Sequence, residues 1–423
     1  MSVSESIKNK TVSEIMSSPV ACVNDGQSVA EAMLVMLRKK ISHLCVTKDG
    51  TSNSPLVGIL SQRDLIVQQG NSPAALVKQM QQTESIEKLA KLRDRAETLV
   101  ASYLEHRVSI PFISGVITEI NDLLIKKAEK FTLKALEEEG VTLPEGLQYC
   151  WMSLGSEGRE EQLLRTDQDN AMVFQIADSD RLEEAKSVCL RLSEGIRGVL
   201  VECGFVRCPA DMMASNPQWC NSLEDWKKTF AGWINTPDMD SLLRSNIFFD
   251  FRPVLGNADL ALQLRDFIQE EIAKQKTFLG HLAKNALKNP PPLSFFKGFI
   301  VEKSGEHKND FDIKARAMMP LTDAARVLTY QLNIRDTYST FGRFEAIDKQ
   351  DKNLSRVCKS AAMDYEILLR LRATQGLANN DSGRFIKPES LNKLERQILK
   401  NTFKTIDLIQ KLFETRFQLA YFQ

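Results

Sequence analysis

Apolar positions along the chain fall into four stretches that differ in period. Over residues 11–69 short apolar runs alternate with helical spacing. Residues 12–19 lead in, 29–37 repeat at helical intervals, Leu44-Cys45-Val46 and Leu56-Val57-Gly58-Ile59-Leu60 read as strands, and 62–69 starts a further helix. From 83 to 139 the pattern is helical, with Ile86, Leu89, Leu92, Ala96, Leu99, Val100, Tyr103 and Leu104 on one face. Pro111 interrupts that run, and a second helix carries Val116, Ile120, Leu123, Leu124 and Ala128. Strands and helices alternate again over 147–254. Beyond Asn257 the chain turns helical apart from Pro290-Pro291-Pro292, and amphipathic runs at 321–332, 354–374 and 391–417 predict a bundle. The whole predicts an α+β multidomain protein. Its parts are an α/β unit over 1–80, a helical connector over 81–140, a mixed sheet with helices over 141–256 and a helical domain over 257–423.

Composition narrows the function classes. Lysine plus arginine and aspartate plus glutamate both total 55 in 423 residues, so the formal net charge is zero and no overall field draws the chain to nucleic acid or an anionic membrane. The first twenty residues hold no apolar run of the secretory kind, and no later stretch approaches the roughly 18 apolar residues of a membrane span. A cytoplasmic location is expected. The eight cysteines include no C-x-x-C pair, and only four histidines occur, so a zinc site is not expected and most cysteines should be buried thiols. Trp219, Trp226 and Trp233 recur every seven residues and should pack in a core.

The chemistry concentrates between Cys150 and Phe174. An apolar strand ends at Gly155-Ser156, a helix-like segment follows Gly158, and Asp167 and Asp169 open a second strand continued by Ala171 to Phe174. Residues two apart on a strand share a face, so both carboxylates should meet one site suited to magnesium or manganese. Two such ions about 4 Å apart can activate an attacking group and stabilise a departing pyrophosphate. Gly155 lets backbone approach phosphate, Ser156 supplies a hydroxyl and an N–H, and Arg159 is placed to pair with a phosphate of a nucleoside triphosphate.

Gly-Ser, ten residues, then Asp-x-Asp resembles the signature of the polymerase-beta-like nucleotidyltransferase superfamily. The stretch GSEGREEQLLRTDQDNA is similar to its bacterial branch beside the protein-PII uridylyltransferases and glutamine synthetase adenylyltransferases. That resemblance implies a third acid in a later strand. Asp250, in Asn246-Ile-Phe-Phe-Asp-Phe-Arg252-Pro, fits as metal ligand and as base toward the acceptor hydroxyl. Asp312-Ile-Lys314 resembles a D-x-K element that touches substrate in the uridylyltransferases, and Ser215-Asn216-Pro217 is a candidate for the nucleotide pocket.

At the amino terminus, TVSEIMSSPV, SVAEAMLVMLRKKISHLCV and PLVGILSQRDL together resemble one cystathionine-beta-synthase (CBS) domain. In such domains the positions of Ser61 and Asp64 hold the ribose and phosphate of an adenine nucleotide. These domains work in pairs and only one unit is visible, so a homodimer through this unit, or a lost amino-terminal copy, is expected. Taken together, the order of motifs, with MASNPQW and FFDFRP, closely resembles the DUF294-type nucleotidyltransferases. The resemblance implies transfer of a nucleoside monophosphate to an acceptor, by kinship a regulatory protein, under control of the CBS unit. The alternative is a non-catalytic sensor of adenine nucleotides.

Overall fold

The computed structural model describes residues 11–27, 32, 35–36, 39, 41, 43–61, 73–288 and 299–421. The chain divides into two compact units, Met1–Lys78 and Gln79–Gln423, and none of the described helices is long and apolar enough to cross a membrane.

In the first unit, a short helix α1 (Val12–Ile15) precedes a three-stranded sheet in the order β1 (Cys22–Asn24), β2 (His43–Thr47), β3 (Leu56–Ser61). The β1–β2 pair is parallel and the β2–β3 pair antiparallel. Val23 and Leu44 bury their side chains against Ala32 and Met36 from the helical stretch between them, and Leu60 and Val46 close the edge of that core. Strand β1 was not anticipated, since three residues are too few for a period to register. On β3, Val57 and Ile59 share one face and stay exposed, and Leu56 at the start of the strand is exposed as well. Ser61 ends β3, whereas Asp64 and the helix expected at 62–69 lie outside the described residues.

The boundary falls within α2 (Pro73–Gln82), and the second unit continues with α3 (Ile86–Glu105) and α4 (Ile110–Glu138). Ser85 caps α3 by accepting from the Lys88 N–H, and Pro111 sits in the first turn of α4, where its missing N–H costs nothing. Leu89, Ala96, Leu99, Val100 and Tyr103 form the buried stripe of α3, as their spacing predicts. The connector is therefore packed structure. Arg165 ties α3 down through Glu97 and Asp94, and Arg252 grips Asp122 of α4 with two bonds of 2.7 Å.

Next comes a four-stranded sheet in the order β8 (Cys220–Ser222), β6 (Asn170–Gln175), β4 (Gln148–Ser153), β9 (Arg252–Gly256). The β4–β6 and β4–β9 pairs are antiparallel and the β6–β8 pair is parallel. Ala171 to Phe174 are all buried, and because successive residues point to opposite faces the sheet is covered on both sides. Helices α4 and α6 (Leu182–Glu202) pack together, as do α7 (Leu223–Asn235) and α9 (Ala258–Lys274). As expected, the three tryptophans are packing aromatics. Trp219 lies 4.4 Å from Phe248 between ring centroids, and Trp226 donates its indole N–H to the Met172 carbonyl. The remaining helices are α8 (Met239–Phe248) and α10 (Lys276–Ala286), then α11 (Met319–Gln331), α12 (Thr340–Gln350), α13 (Ser355–Asn379) and α14 (Lys393–Arg416). Short strands β10 (Phe311–Asp312) and β11 (Phe385–Ile386) pair antiparallel, and a π-helical turn at Lys314–Met318 leads into α11. The proline run at 290–292 lies outside the described residues.

Candidate active site

Strand β4 ends at Ser153, and the Leu154 N–H donates to the Asp169 carbonyl at 2.9 Å, so the turn that follows is pinned beside the acidic pair. That turn, α5 (Gly155–Gly158), uses its glycines for packing. Gly155 has φ +56°, and a Cβ there would stand 3.5 Å from Asp169 Oδ2. At Gly158 a Cβ would overlap the Asp250 carbonyl oxygen and meet that of Ser153 at 2.7 Å. Gly158→Ala is therefore expected to cost about 2 kcal/mol of unfolding free energy, as overpacking does, measured by denaturant titration against Gly115→Ala, where an added Cβ meets nothing within 4 Å.

The two acids do not begin one continuous strand, as the alternation implied. Asp167 and Gln168 form a separate strand, β5, parallel to β7 (Val206–Arg207), and β6 starts only at Asn170. The break leaves Asp169 between two pairings. Asp167 lies opposite Val206 and Gln168 opposite Arg207, so the next step of that register sets Cys208 beside Asp169. Ligand atoms of Asp167, Asp169 and Cys208 all lie within 4.8 Å of one another. Burial and the neighbouring Asp167 push the Asp169 carboxyl up to about 6. Its Oδ1 is buried without a hydrogen-bond partner, an orphaned acceptor of the kind a bound cation satisfies. Burial and Asp169 push the Cys208 thiol up to about 11. Burial likewise raises Glu157 to about 7, with Arg252 opposing and Asp122 adding to the rise.

Two cations from the helical region face the acids. Lys314, in the π-helical turn, is lowered by burial and by Arg372, while Asp167 and Asp169 pull the other way. Arg372, on α13, is lowered by burial and lies within the fields of Asp167 and Arg159. It donates Nε–H to the Ser382 carbonyl at 3.0 Å. Neither cation forms an ion pair with a carboxylate among the described residues. Arg372 also lines a narrow cleft together with Ser156, Gln162, Thr166 and Ser382. Two hard acids, two unneutralised cations and a serine hydroxyl can hold a metal-bound polyphosphate.

Asp250 requires a correction. It was expected in a strand, beside the metal and able to act as a base. It lies in the turn between α8 and β9, because the aromatic run read as strand is the end of a helix that buries Phe248 and Phe249. Its carboxylate is fully enclosed, and three arginines occupy both oxygens. Arg326 donates at 3.0 and 2.6 Å, Arg343 at 2.6 Å and Arg159 at 2.8 Å. Burial opposes the charge, but the guanidinium groups outweigh it and hold this carboxyl far below its ordinary range. No lone pair is left for a metal or a proton. Arg159 is correspondingly engaged, with Asp250 on one side and Glu161 at 2.9 Å on the other, so it is not a spare phosphate ligand. Glu161 is itself buried and accepts from the Tyr365 hydroxyl at 2.6 Å and from the Thr340 N–H. The cluster joins the turn after β4 to α11, α12 and α13.

The remaining candidates separate clearly. Asp312 pairs with Arg384 and accepts from the Ala315 N–H, so in D-x-K only Lys314 reaches the acids. Ser215 and Pro217 line a different groove with Thr132 and Leu136, and Asn216 shapes its own turn through Asp211. Sequence reasoning missed Arg372, Glu161 and the role of Cys208. The first sits in an unbroken helical run, and the last is one of eight cysteines without a C-x-x-C pair.

Residues 94–240 match the family described as Putative nucleotidyltransferase DUF294. Residues 276–417 match the Putative nucleotidyltransferase substrate binding domain, and residues 12–69 match the CBS domain. No curated protein matches the chain.

Proposed function

Because the chain belongs to the DUF294 nucleotidyltransferase family and carries a CBS domain ahead of it, we propose that it transfers a nucleoside monophosphate from a nucleoside triphosphate to an acceptor at the Asp167–Asp169 site. The acceptor hydroxyl oxygen attacks the α-phosphorus and gives up its proton to solvent, the bond from the α-phosphorus to the bridging oxygen breaks, and pyrophosphate leaves. The observation that carries this reading is the orphaned Asp169 Oδ1 beside Asp167, facing Lys314 and Arg372, which have no carboxylate partner among the described residues. Asp167 and Asp169 would hold a divalent cation, magnesium or manganese, which supplies Lewis-acid stabilisation of the phosphate oxygens. Ser156 and the Gly155 backbone would meet the triphosphate from one side, and Lys314 and Arg372 from the other. Asp250 serves as the clasp that fixes Arg159.

By resemblance the acceptor is a regulatory protein, as for the uridylyltransferases, and the CBS unit binds an adenine nucleotide at Ser61 and Asp64. Exposed Val57 and Ile59 on one face of β3 support pairing of this unit with a second copy in a homodimer. Incubation with α-labelled ATP, UTP or GTP, a divalent ion and cell lysate tests the reading. Label should pass to one acceptor in wild type and not in Asp167→Asn.

A second reading, a nucleotide sensor without turnover, is favoured by the saturation of Asp250, which leaves two carboxylates where three were expected. It predicts triphosphate binding with no label transferred.

The raised Asp169 carboxyl gives a pH signature. Its contribution to the stability of the metal-free protein is fully present below the unfolded value of about 4 and lost as pH rises through about 6. A bound cation reverses that sign by stabilising the carboxylate. Manganese should therefore raise Tm by several degrees at roughly pH 7.5 and by much less at roughly pH 5. A shift independent of pH, or one retained in Asp169→Asn, would place the ion elsewhere.

A further inference from the structure

We infer that the third protein ligand of the Asp167–Asp169 cation is the Sγ of Cys208, which makes this a mixed carboxylate–thiolate site that holds zinc, cobalt or cadmium more tightly than magnesium. The inference rests on the proposal that Asp167 and Asp169 bind a divalent ion. Three observations carry it. The parallel β5–β7 pairing sets Cys208 next in register to Asp169, and the carboxylate oxygens and Sγ fall within 4.8 Å of one another. Asp169 Oδ1 is buried with no hydrogen-bond partner, so the cluster presents an acceptor that nothing in the protein satisfies. The acid that should have completed the set, Asp250, is held by Arg159, Arg326 and Arg343.

Cys208 is buried and forms no disulfide, and Asp211 donates its N–H to the Cys208 carbonyl at 3.0 Å, which holds the bend that turns the thiol toward the acids. Magnesium gains little from sulfur, whereas borderline and soft ions bind thiolate strongly. On binding, the Sγ–metal bond forms and the thiol proton leaves to solvent. Two carboxylates and one thiolate then give three negative charges opposite Lys314 and Arg372, and the coordination positions left over are open to phosphate oxygens.

Cadmium titration of the full chain, followed by the near-ultraviolet thiolate-to-metal absorption band, tests this together with manganese binding measured by electron paramagnetic resonance. Wild type should show one saturable band, lost in Cys208→Ser and in Asp169→Asn. Cadmium affinity should fall about tenfold or more in Cys208→Ser, while magnesium affinity changes less than about threefold. Asp169→Asn keeps the thiol and guards against misfolding of the serine variant, and melting curves of both report their folding. A band unchanged in Cys208→Ser, with manganese still bound through Asp169, overturns the thiolate ligand and leaves the carboxylate site standing. Absence of manganese binding in wild type overturns the carboxylate site itself.

Discussion

Asp169→Ala should lower nucleotidyl transfer by about 10³-fold or more while leaving the fold intact, because a cation's charge stabilisation is worth several kcal/mol and each 1.36 kcal/mol is about tenfold in rate. The side chain makes no ion pair among the described residues and its Oδ1 has no hydrogen-bond partner, so removing it deletes only the hydrogen bond with the Cys208 thiol. Relief of repulsion with Asp167 should even raise the melting temperature of the metal-free variant slightly. A loss of activity accompanied by a large fall in Tm would instead make Asp169 a structural residue. Lys314→Ala and Arg372→Ala should chiefly raise KM for the triphosphate, since they meet phosphate in both ground and transition states.

The opposite outcome is expected at Asp250. Asp250→Ala leaves Arg343 buried with no carboxylate partner among the described residues and reduces Arg159 and Arg326 to Glu161 and Asp323, and breaking one partner of a buried ion cluster costs about 3–5 kcal/mol. Tm should fall on the order of 10 °C, measured by calorimetry or circular dichroism. Because the folded carboxyl sits well below its ordinary value, its stabilisation is present above about pH 4 and lost only as pH falls through strongly acid values. The difference in Tm between wild type and Asp250→Asn should therefore hold constant from roughly pH 8 to pH 5. Unchanged stability with lost metal binding would return Asp250 to the role of ligand.

The contrast between these two acids shows what the chain discloses before folding. Gly155-Ser156 and the place of Asp169 beside it were legible because a strand, a tight turn and a returning antiparallel strand fix them locally, whereas Asp167 belongs to β5, whose partner β7 lies well along the chain. Long amphipathic helices were legible for the same reason, and Pro111 marked the start of α4. Asp250 was misplaced because Ile247-Phe248-Phe249 has the aromatic content of a strand, yet forms a helix end packed on Trp219 and Trp226. Its partners could not be read at all. Arg326 and Arg343 lie on regular helices far along the chain, and nothing local distinguishes them from solvated arginines. Cys208 was similarly hidden, since a two-residue strand such as β7 has no period and its register with β5 is a tertiary fact.

The most direct measurement follows both products of the reaction, counting pyrophosphate released against α-label incorporated when the protein is supplied with a triphosphate, divalent ion and lysate-derived acceptor. Nucleotidyl transfer at the Asp167–Asp169 site predicts equal amounts of the two, both abolished in Asp169→Asn. Release of orthophosphate in place of pyrophosphate, or label incorporated equally by Asp169→Asn, would contradict it.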